Sequence, residues 1–401
     1  MPARTGGSPS LDAIRGSMKP ARANARAVAA LTDNPGCTRR RVIDAARVPA
    51  HELAERLGHS VIRGQSPFAI TSGNRFEARL KEGSGYSLLV EVLRPFADLP
   101  SAGWRVADLG HAPGLRAGQA WLEARAKLTD TTLRAIASGA PDAPHLVDHP
   151  VIVFDLAGTP VYLEPDALAF RKGKELQLVE IKSYAIIDGQ ADPAKVSSTG
   201  GQSAVYLLAL RAALARLGFD PNILRWSVIL VAPKNFGRFP VAHEIPLRKK
   251  AMALERVLRN APNASSLLSD LPPDFTLDVP ARPGPSSAAR QRREIEAAVR
   301  QLSMRYVPEC LATCDLGRSC RAQAIADDQP ERLGRTARDA LAGLGTLADA
   351  RRLATRGVSP SEEHLADVAE ALQDAHHALE RARAAAPAEC GLQSRAPGRR
   401  T

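Results

Sequence analysis

Val151-Ile-Val-Phe-Asp-Leu156, Val161-Tyr-Leu-Glu-Pro-Asp-Ala-Leu-Ala-Phe170 and Leu176-Gln-Leu-Val-Glu-Ile-Lys-Ser-Tyr184 follow one another closely, and their reading decides the fold. All three are apolar and rich in β-branched residues. The first two flank Ala157-Gly158-Thr159-Pro160, a turn sequence suited to a hairpin. Helical periodicity takes over from Gly201 to Leu217, where Val205, Leu208, Ala209, Ala212 and Ala215 share one side. Trp226 to Ala232 reads as a fourth strand and His243 to Leu247 as a short fifth. Two hairpin-linked strands, a third strand, a crossover helix and a fourth strand predict an α/β fold, a small mixed sheet with helices packed on it.

Working outward, residues 1–36 are rich in Ala, Arg, Gly, Ser and Pro and predict a flexible leader with one short helix. Helical patterns follow over Arg39–Leu57, Ser72–Phe96 with a break at Gly83 and Gly85, and Ala117–Ala137. Beyond the strands, Lys249–Leu271 reads as helix and Pro272–Pro285 as a surface linker. Helix resumes near Ser286, and from Pro330 onward an Ala, Arg, Leu and Glu pattern predicts a helical extension ending in a basic tail. No internal repeat is visible. The expected organisation is a leader over 1–36, a main domain over 37–329 and a C-terminal extension over 330–401.

Of the 401 residues, 44% are hydrophobic and 24% charged, a globular composition that excludes a disordered chain. Lysine and arginine number 54 against 43 acidic residues, a net charge of +11. Such an excess suits polyanions, because each neutralised phosphate releases counterions, although an Arg-rich composition with a basic tail accounts for it equally. No run approaches a membrane span and the N-terminus lacks a secretory signal pattern, so no membrane partner and a cytoplasmic location are expected. Five cysteines in so long a chain do not make a disulfide scaffold, and in a reducing compartment clustered thiols suit metal.

The sharpest chemical signal is Asp166 followed 14 residues later by Glu180-Ile-Lys182. Strand alternation puts Glu180 and Lys182 on one face and Val179 and Ile181 on the other. Two carboxylates converging with a lysine are what metal-assisted phosphodiester hydrolysis needs: hard oxygens hold Mg²⁺ or Mn²⁺, and a lysine orients water and offsets charge. The plainer alternative is an ion pair or a solvated strand end. Gln202 and Tyr206, spaced i, i+4 on the crossover helix, project from one face. Ser72-Gly-Asn-Arg-Phe-Glu77 places an acid near a helix start, either as a third acidic ligand or as a glutamate favoured by the helix dipole.

Gly-x-x-Phe-Glu, Pro-Asp, Glu-x-Lys and Gln-x-x-x-Tyr, in this order and spacing, resemble the RecB-like branch of the PD-(D/E)XK nuclease superfamily over about residues 37–322. The resemblance implies a restriction-endonuclease-like core and a metal-dependent DNA nuclease, exonucleolytic or favouring single strands, in repair, recombination or anti-phage defence. It implies metal ligands at Asp166, Glu180, the Ile181 carbonyl and Glu77, where many relatives have His. It implies a catalytic lysine at Lys182 and the helix motif near the site at Gln202 and Tyr206.

Cys310-Leu-Ala-Thr-Cys314-Asp-Leu-Gly-Arg-Ser-Cys320 lies downstream and Cys37 upstream. This division resembles the iron-sulfur members of that branch, AddB and the CRISPR-associated relatives, and implies that these four thiolates hold a structural [4Fe-4S] cluster closing the two ends of the domain. The gap Cys-x-x-x-Cys departs from the common Cys-x-x-Cys, and four thiolates equally suit zinc, or the thiols are ordinary core residues. Cys390 falls outside the group. Arg39-Arg40-Arg41 either touches phosphate or forms a solvated helix face. His145 and His149 have helical metal-pair spacing, but Pro144 and Pro150 bracket them, which argues against a helix and a histidine-based hydrolase.

No Gly-x-x-x-x-Gly-Lys-Ser/Thr loop is present, so processive action would draw on a partner helicase or defence complex, with the helical extension as its docking element. A catalytically inactive nuclease-like DNA-binding or scaffold subunit and an RNA nuclease are the rival readings.

Overall fold

A computed structural model describes residues 9–21, 24–59, 67–83, 85–97, 99–100, 102–111, 114–156, 159–170, 175–235, 237, 239–260, 264–280, 287–307, 310–341 and 343–385. The chain divides into two units, Met1–Leu302 and Ser303–Thr401. The division falls before the downstream cysteines, not at residue 330.

The first unit opens with α1 (Leu11–Arg15), α2 (Ala25–Asp33), α3 (Thr38–Ala45), α4 (Ala50–Arg56), α5 (Pro67–Leu80) and α6 (Ser87–Ala97). After β1 (Val106–Asp108) and α7 (Gln119–Ser138) come β2 (Leu146–Asp148), β3 (Ile152–Leu156), β4 (Thr159–Leu163), β5 (Ala167–Phe170) and β6 (Leu176–Ile181). The crossover helix α8 (Pro193–Arg216) leads to β7 (Leu224–Pro233), β8 (Pro240–Pro246), α9 (Arg248–Arg259), α10 (Ala264–Leu268) and α11 (Ser287–Gln301).

Six strands form a mixed sheet in the order β1-β2-β5-β6-β7-β8, with β1–β2 and β6–β7 parallel and the other pairs antiparallel. Side chains alternate across it. Leu176, Leu178 and Val228 pack with Val205, Leu207 and Leu210 of α8, while Val179, Ile181, Ile229 and Val231 pack with Phe76, Leu80, Leu89 and Leu93 of α5 and α6. Helices therefore cover both faces. The architecture is mixed α/β, as the three opening strands predict.

The expected hairpin forms, but its second strand is shorter and it joins a different sheet. Val161–Phe170 is not one strand: Glu164-Pro165-Asp166 separates β4 from β5, and Pro165 cannot donate to a ladder. β3 and β4 pair in a two-stranded sheet of their own. The main sheet instead recruits β1 and β2, three residues each and too short to show a period. Helix over Lys249–Leu271 resolves into α9 and α10.

The expected leader is built into the core through α2, whose Ala25, Val28 and Ala29 join the α8 side. The Pro-rich stretch likewise buries Phe275 and Leu277. Leu277 N–H donates to Ile14 O at 2.9 Å, and Asp278 accepts from Ser17 N–H and Oγ at 2.6 Å each. Residues 281–286 of that stretch and 1–8 of the leader lie outside the described residues.

The second unit carries α12 (Cys310–Thr313), α13 (Gly317–Ala326), α14 (Arg335–Ala340), α15 (Leu347–Arg356) and α16 (Ala366–Ala385). The expected basic tail from 386 onward, Cys390 included, lies outside the described residues. No helix among the described residues is long and apolar enough to cross a membrane.

Candidate active site

The antiparallel ladder of β5 and β6 ends at Ala167 and Val179, which leaves Asp166, the residue before β5, beside the end of β6. Strand parity turns Glu180 toward α8, on the face of Leu176 and Leu178. Asp166 Oδ2 accepts the Ile181 N–H at 2.6 Å. Lys182 continues the ladder, its N–H donating to Val231 O at 2.9 Å, and its Nζ donates to Glu180 Oε1. Asp166, Glu180 and Lys182 thus share one strand end.

Glu180 is 0% exposed, and its second oxygen, Oε2, has no hydrogen-bond partner among the described residues. Burial, and then the charge of Asp166, push its carboxyl well above the ordinary range, against the pull of Lys182. Burial raises Asp166 too. A buried carboxylate with an unfilled oxygen is costly, and a cation relieves both the charge and the vacant acceptor. The donor set of two hard carboxylates fits Mg²⁺ or Mn²⁺.

From α8, Gln202 Nε2 donates to Tyr206 OH at 2.9 Å. Burial, followed by the charges of Glu180 and Asp166, holds the Tyr206 phenol far above its ordinary value, so it stays protonated beside the acids. Ser203, on the same helix, is 0% exposed and its Oγ also lacks a hydrogen-bond partner. No sequence pattern singled it out.

Glu77 lies on α5, on the other side of the sheet end. Its Oε1 accepts from Lys81 Nζ at 2.5 Å and lies 3.4 Å from His149 Nε2. Lys81 Nζ is also 2.6 Å from Asp148 Oδ1, and Asp148 Oδ2 lies 3.1 Å from His149 Nδ1 and accepts from Tyr86 OH at 3.1 Å. Hydrogen bonding to His149 and then Lys81 outweighs burial and pulls Glu77 down to about 2. Hydrogen bonds to Asp148 and Glu77 lift His149 to about 10.

Asp108, Asp148 and His149 place ligand atoms within 4.8 Å of one another, the one such His/Cys/Asp/Glu group among the described residues. Two built-in cations, Lys81 and a protonated His149, already occupy the space between its carboxylates and Glu77. We therefore assign this group as an ion-pair network.

Sequence reasoning missed Asp148, Lys81 and the fully buried Arg125, and set His149 aside together with His145. Bracketing prolines do exclude a helix at His149, but the residue follows β2 and meets Asp166 through the sheet, with its N–H donating to Asp166 O at 3.2 Å. The arginine triplet is not a solvated helix face throughout. Arg39 is 1% exposed and donates through Nε and Nη2 to Leu302 O, and Arg40 pairs with Asp44 at 2.5 Å.

Compared with known proteins, the chain matches no family model and no curated sequence.

In the first unit, buried Cys37 caps α3 without a side-chain hydrogen bond. In the second, Cys314 N–H donates to Cys310 O and Gly317 N–H to Cys314 O, both at 2.9 Å. Glycine is needed at 317, because a Cβ there would lie 2.4 Å from Cys310 O. This tight turn joins the helices that carry Cys310 and Cys320.

Proposed function

We propose that the chain is a divalent-metal-dependent nuclease with a restriction-endonuclease-like core that hydrolyses DNA phosphodiester bonds. One observation carries the reading: fully buried Glu180 has Lys182 and Asp166 beside it, Asp166 accepting the neighbouring Ile181 N–H, and keeps an oxygen without a hydrogen bond among the described residues. Support for such a core comes from the sheet, in which β5 and β6 pair antiparallel and α8 crosses over to the parallel β7.

In this reading Asp166 and Glu180 hold Mg²⁺ or Mn²⁺, which when bound acidifies water and stabilises charge on phosphorus. Lys182 keeps its proton at Nζ, because the carboxylates of Glu180 and Asp166 outweigh the opposing effect of burial. From that position it offers a donor to the attacking water or a phosphate oxygen. Tyr206, protonated and oriented by Gln202, offers a second donor on the α8 side. Glu77 anchors the neighbouring ion pairs and adds negative potential at the site, since its charge is felt by both Asp166 and Glu180.

The motif order extends the proposal to exonucleolytic or single-strand-favouring action in repair or anti-phage defence, with a helicase or defence complex as partner. It also extends it to iron held by Cys37, Cys310, Cys314 and Cys320, or zinc in its place. Anaerobic purification, an absorbance spectrum and metal analysis test the thiolates. Cleavage of single- and double-stranded DNA and of RNA with Mg²⁺ or Mn²⁺ tests the activity. Metal-dependent DNA cleavage lost in D166A and K182A is expected; full activity in either folded variant would refute the assignment. DNA binding without cleavage would favour a scaffold subunit, and cleavage confined to RNA an RNA nuclease.

A further inference from the structure

His149 occupies a positive-φ backbone conformation, φ +49°, uncommon for any residue but glycine though more accessible to histidine than to most, in the turn between β2 and β3. Such a residue persists only where its surroundings over-determine it. Here they do. Two residues of α7, spaced i, i+4 on one face, clamp the turn: Arg125 Nη2 donates to His149 O at 2.7 Å, and Thr129 Oγ1 accepts Val151 N–H at 2.9 Å. Arg125 is 0% exposed, donates from Nε to Leu109 O at 2.6 Å, and reaches Glu164 Oε1 at 2.6 Å and Oε2 at 3.2 Å. One guanidinium therefore fixes the His149 turn and the residue two places before Asp166.

The clamped turn faces two ways. Its backbone meets the β5 side, where His149 N–H holds Asp166 O at 3.2 Å. Its ring meets the α5 side, lying 3.4 Å from Glu77 Oε1 and 3.1 Å from Asp148 Oδ2. Among the described residues, His149 touches both the strand end that carries Asp166 and the helix that carries Glu77.

We infer that His149 is a positioning residue for this site: the strained turn sets the place of Asp166 through the main chain while the ring ties α5, and with it Glu77, to the same sheet end. The inference rests on the reading of Asp166 and Glu180 as metal ligands for its effect on binding, but not for its effect on the chain. Partners that orient metal ligands typically change affinity by roughly 10- to 100-fold when they are removed.

The test compares wild type with H149N and T129V. Asparagine tolerates the left-handed backbone and removes the bridging ring. T129V leaves the ring and removes the acceptor that holds Val151. The exposed strand residue His243, changed to Asn, serves as control. Amide exchange across residues 148–151 and 164–168 is followed by mass spectrometry, Mn²⁺ binding by calorimetry, and DNA cleavage by kcat and KM.

Expected are faster exchange in both segments for H149N and T129V, Mn²⁺ affinity lowered about tenfold or more, and a fall in kcat with KM for DNA unchanged. H243N matches wild type. Unchanged exchange and Mn²⁺ affinity in H149N would overturn the inference. Should H149N not fold, T129V decides on the same two measurements. A wild-type protein that neither binds Mn²⁺ nor cleaves refutes the nuclease reading alone, and the exchange comparison still decides the role of His149.

Discussion

On the α8 side of the sheet end, Asp166 and Glu180 share the ammonium of Lys182 and leave Glu180 Oε2 without a hydrogen bond. On the α5 side, Glu77 and Asp148 share two cations, Lys81 and His149, and the hydroxyl of Tyr86. The two clusters use the same residue types and touch through a single rung, yet burial raises Glu180 while ion pairing lowers Glu77 to about 2. The number of acids near one another does not mark a metal site. Under the proposed reading the clusters differ in their built-in cations, Lys182 alone on the α8 side against Lys81 and His149 on the α5 side.

E180Q should break the contrast most severely. Cleavage should fall by at least on the order of 100-fold, since a charge that stabilises the transition state is lost. The metal-free protein should melt no lower than wild type, because the amide is neutral in that buried position without having to take up a proton. Cleavage rates and thermal melts on the same sample check both parts.

R125M attacks the clamp on the His149 turn. It strips Glu164 of a bidentate partner and two carbonyls of a buried donor, and should cost about 3 kcal/mol in urea unfolding. Near-native stability would show that the buried guanidinium is replaceable by an apolar side chain.

A pH series sharpens the comparison further. Glu180 is raised above its ordinary 4.5, so within that upward window the folded metal-free protein holds a proton that the unfolded chain has released. Its stability contribution therefore falls as pH rises. Metal displaces the proton, so the Mn²⁺-induced rise in Tm should be larger at pH 8 than at pH 6, with apparent affinity changing by up to about tenfold per pH unit. A rise independent of pH would place the metal elsewhere.

The smallest effect belongs to His149. With its ring lifted from 6.5 to about 10, its stabilising contribution is full below 6.5 and is lost only as pH climbs through 10. Its ring resonances should stay those of an imidazolium between pH 6 and 8. Titration near 6.5 would dissolve the distinction between the clusters.

The α8-side cluster was legible because strand alternation is local: Glu180 and Lys182 fall two apart in an apolar run, and Asp166 precedes its own short strand. The α5-side cluster was not. Lys81, Asp148 and His149 meet through three-residue β2 and a turn whose conformation is imposed by α7, a tertiary constraint with no periodic trace. The crossover helix and β7 were visible from long apolar patterns. The assignment of β3 and β4 to the main sheet failed because one proline, at 165, decides which sheet each half of the run joins.

Ser17 and Asp278 bond across 261 residues of sequence. A ribosome making this chain releases β8 long before Leu277 emerges, so the sheet can condense while α1 is still waiting for its seat. The Ile14 carbonyl then waits for the Leu277 N–H until that residue is made. α1 is thus among the late elements to settle, and that delay is when a chaperone or a protease would find it.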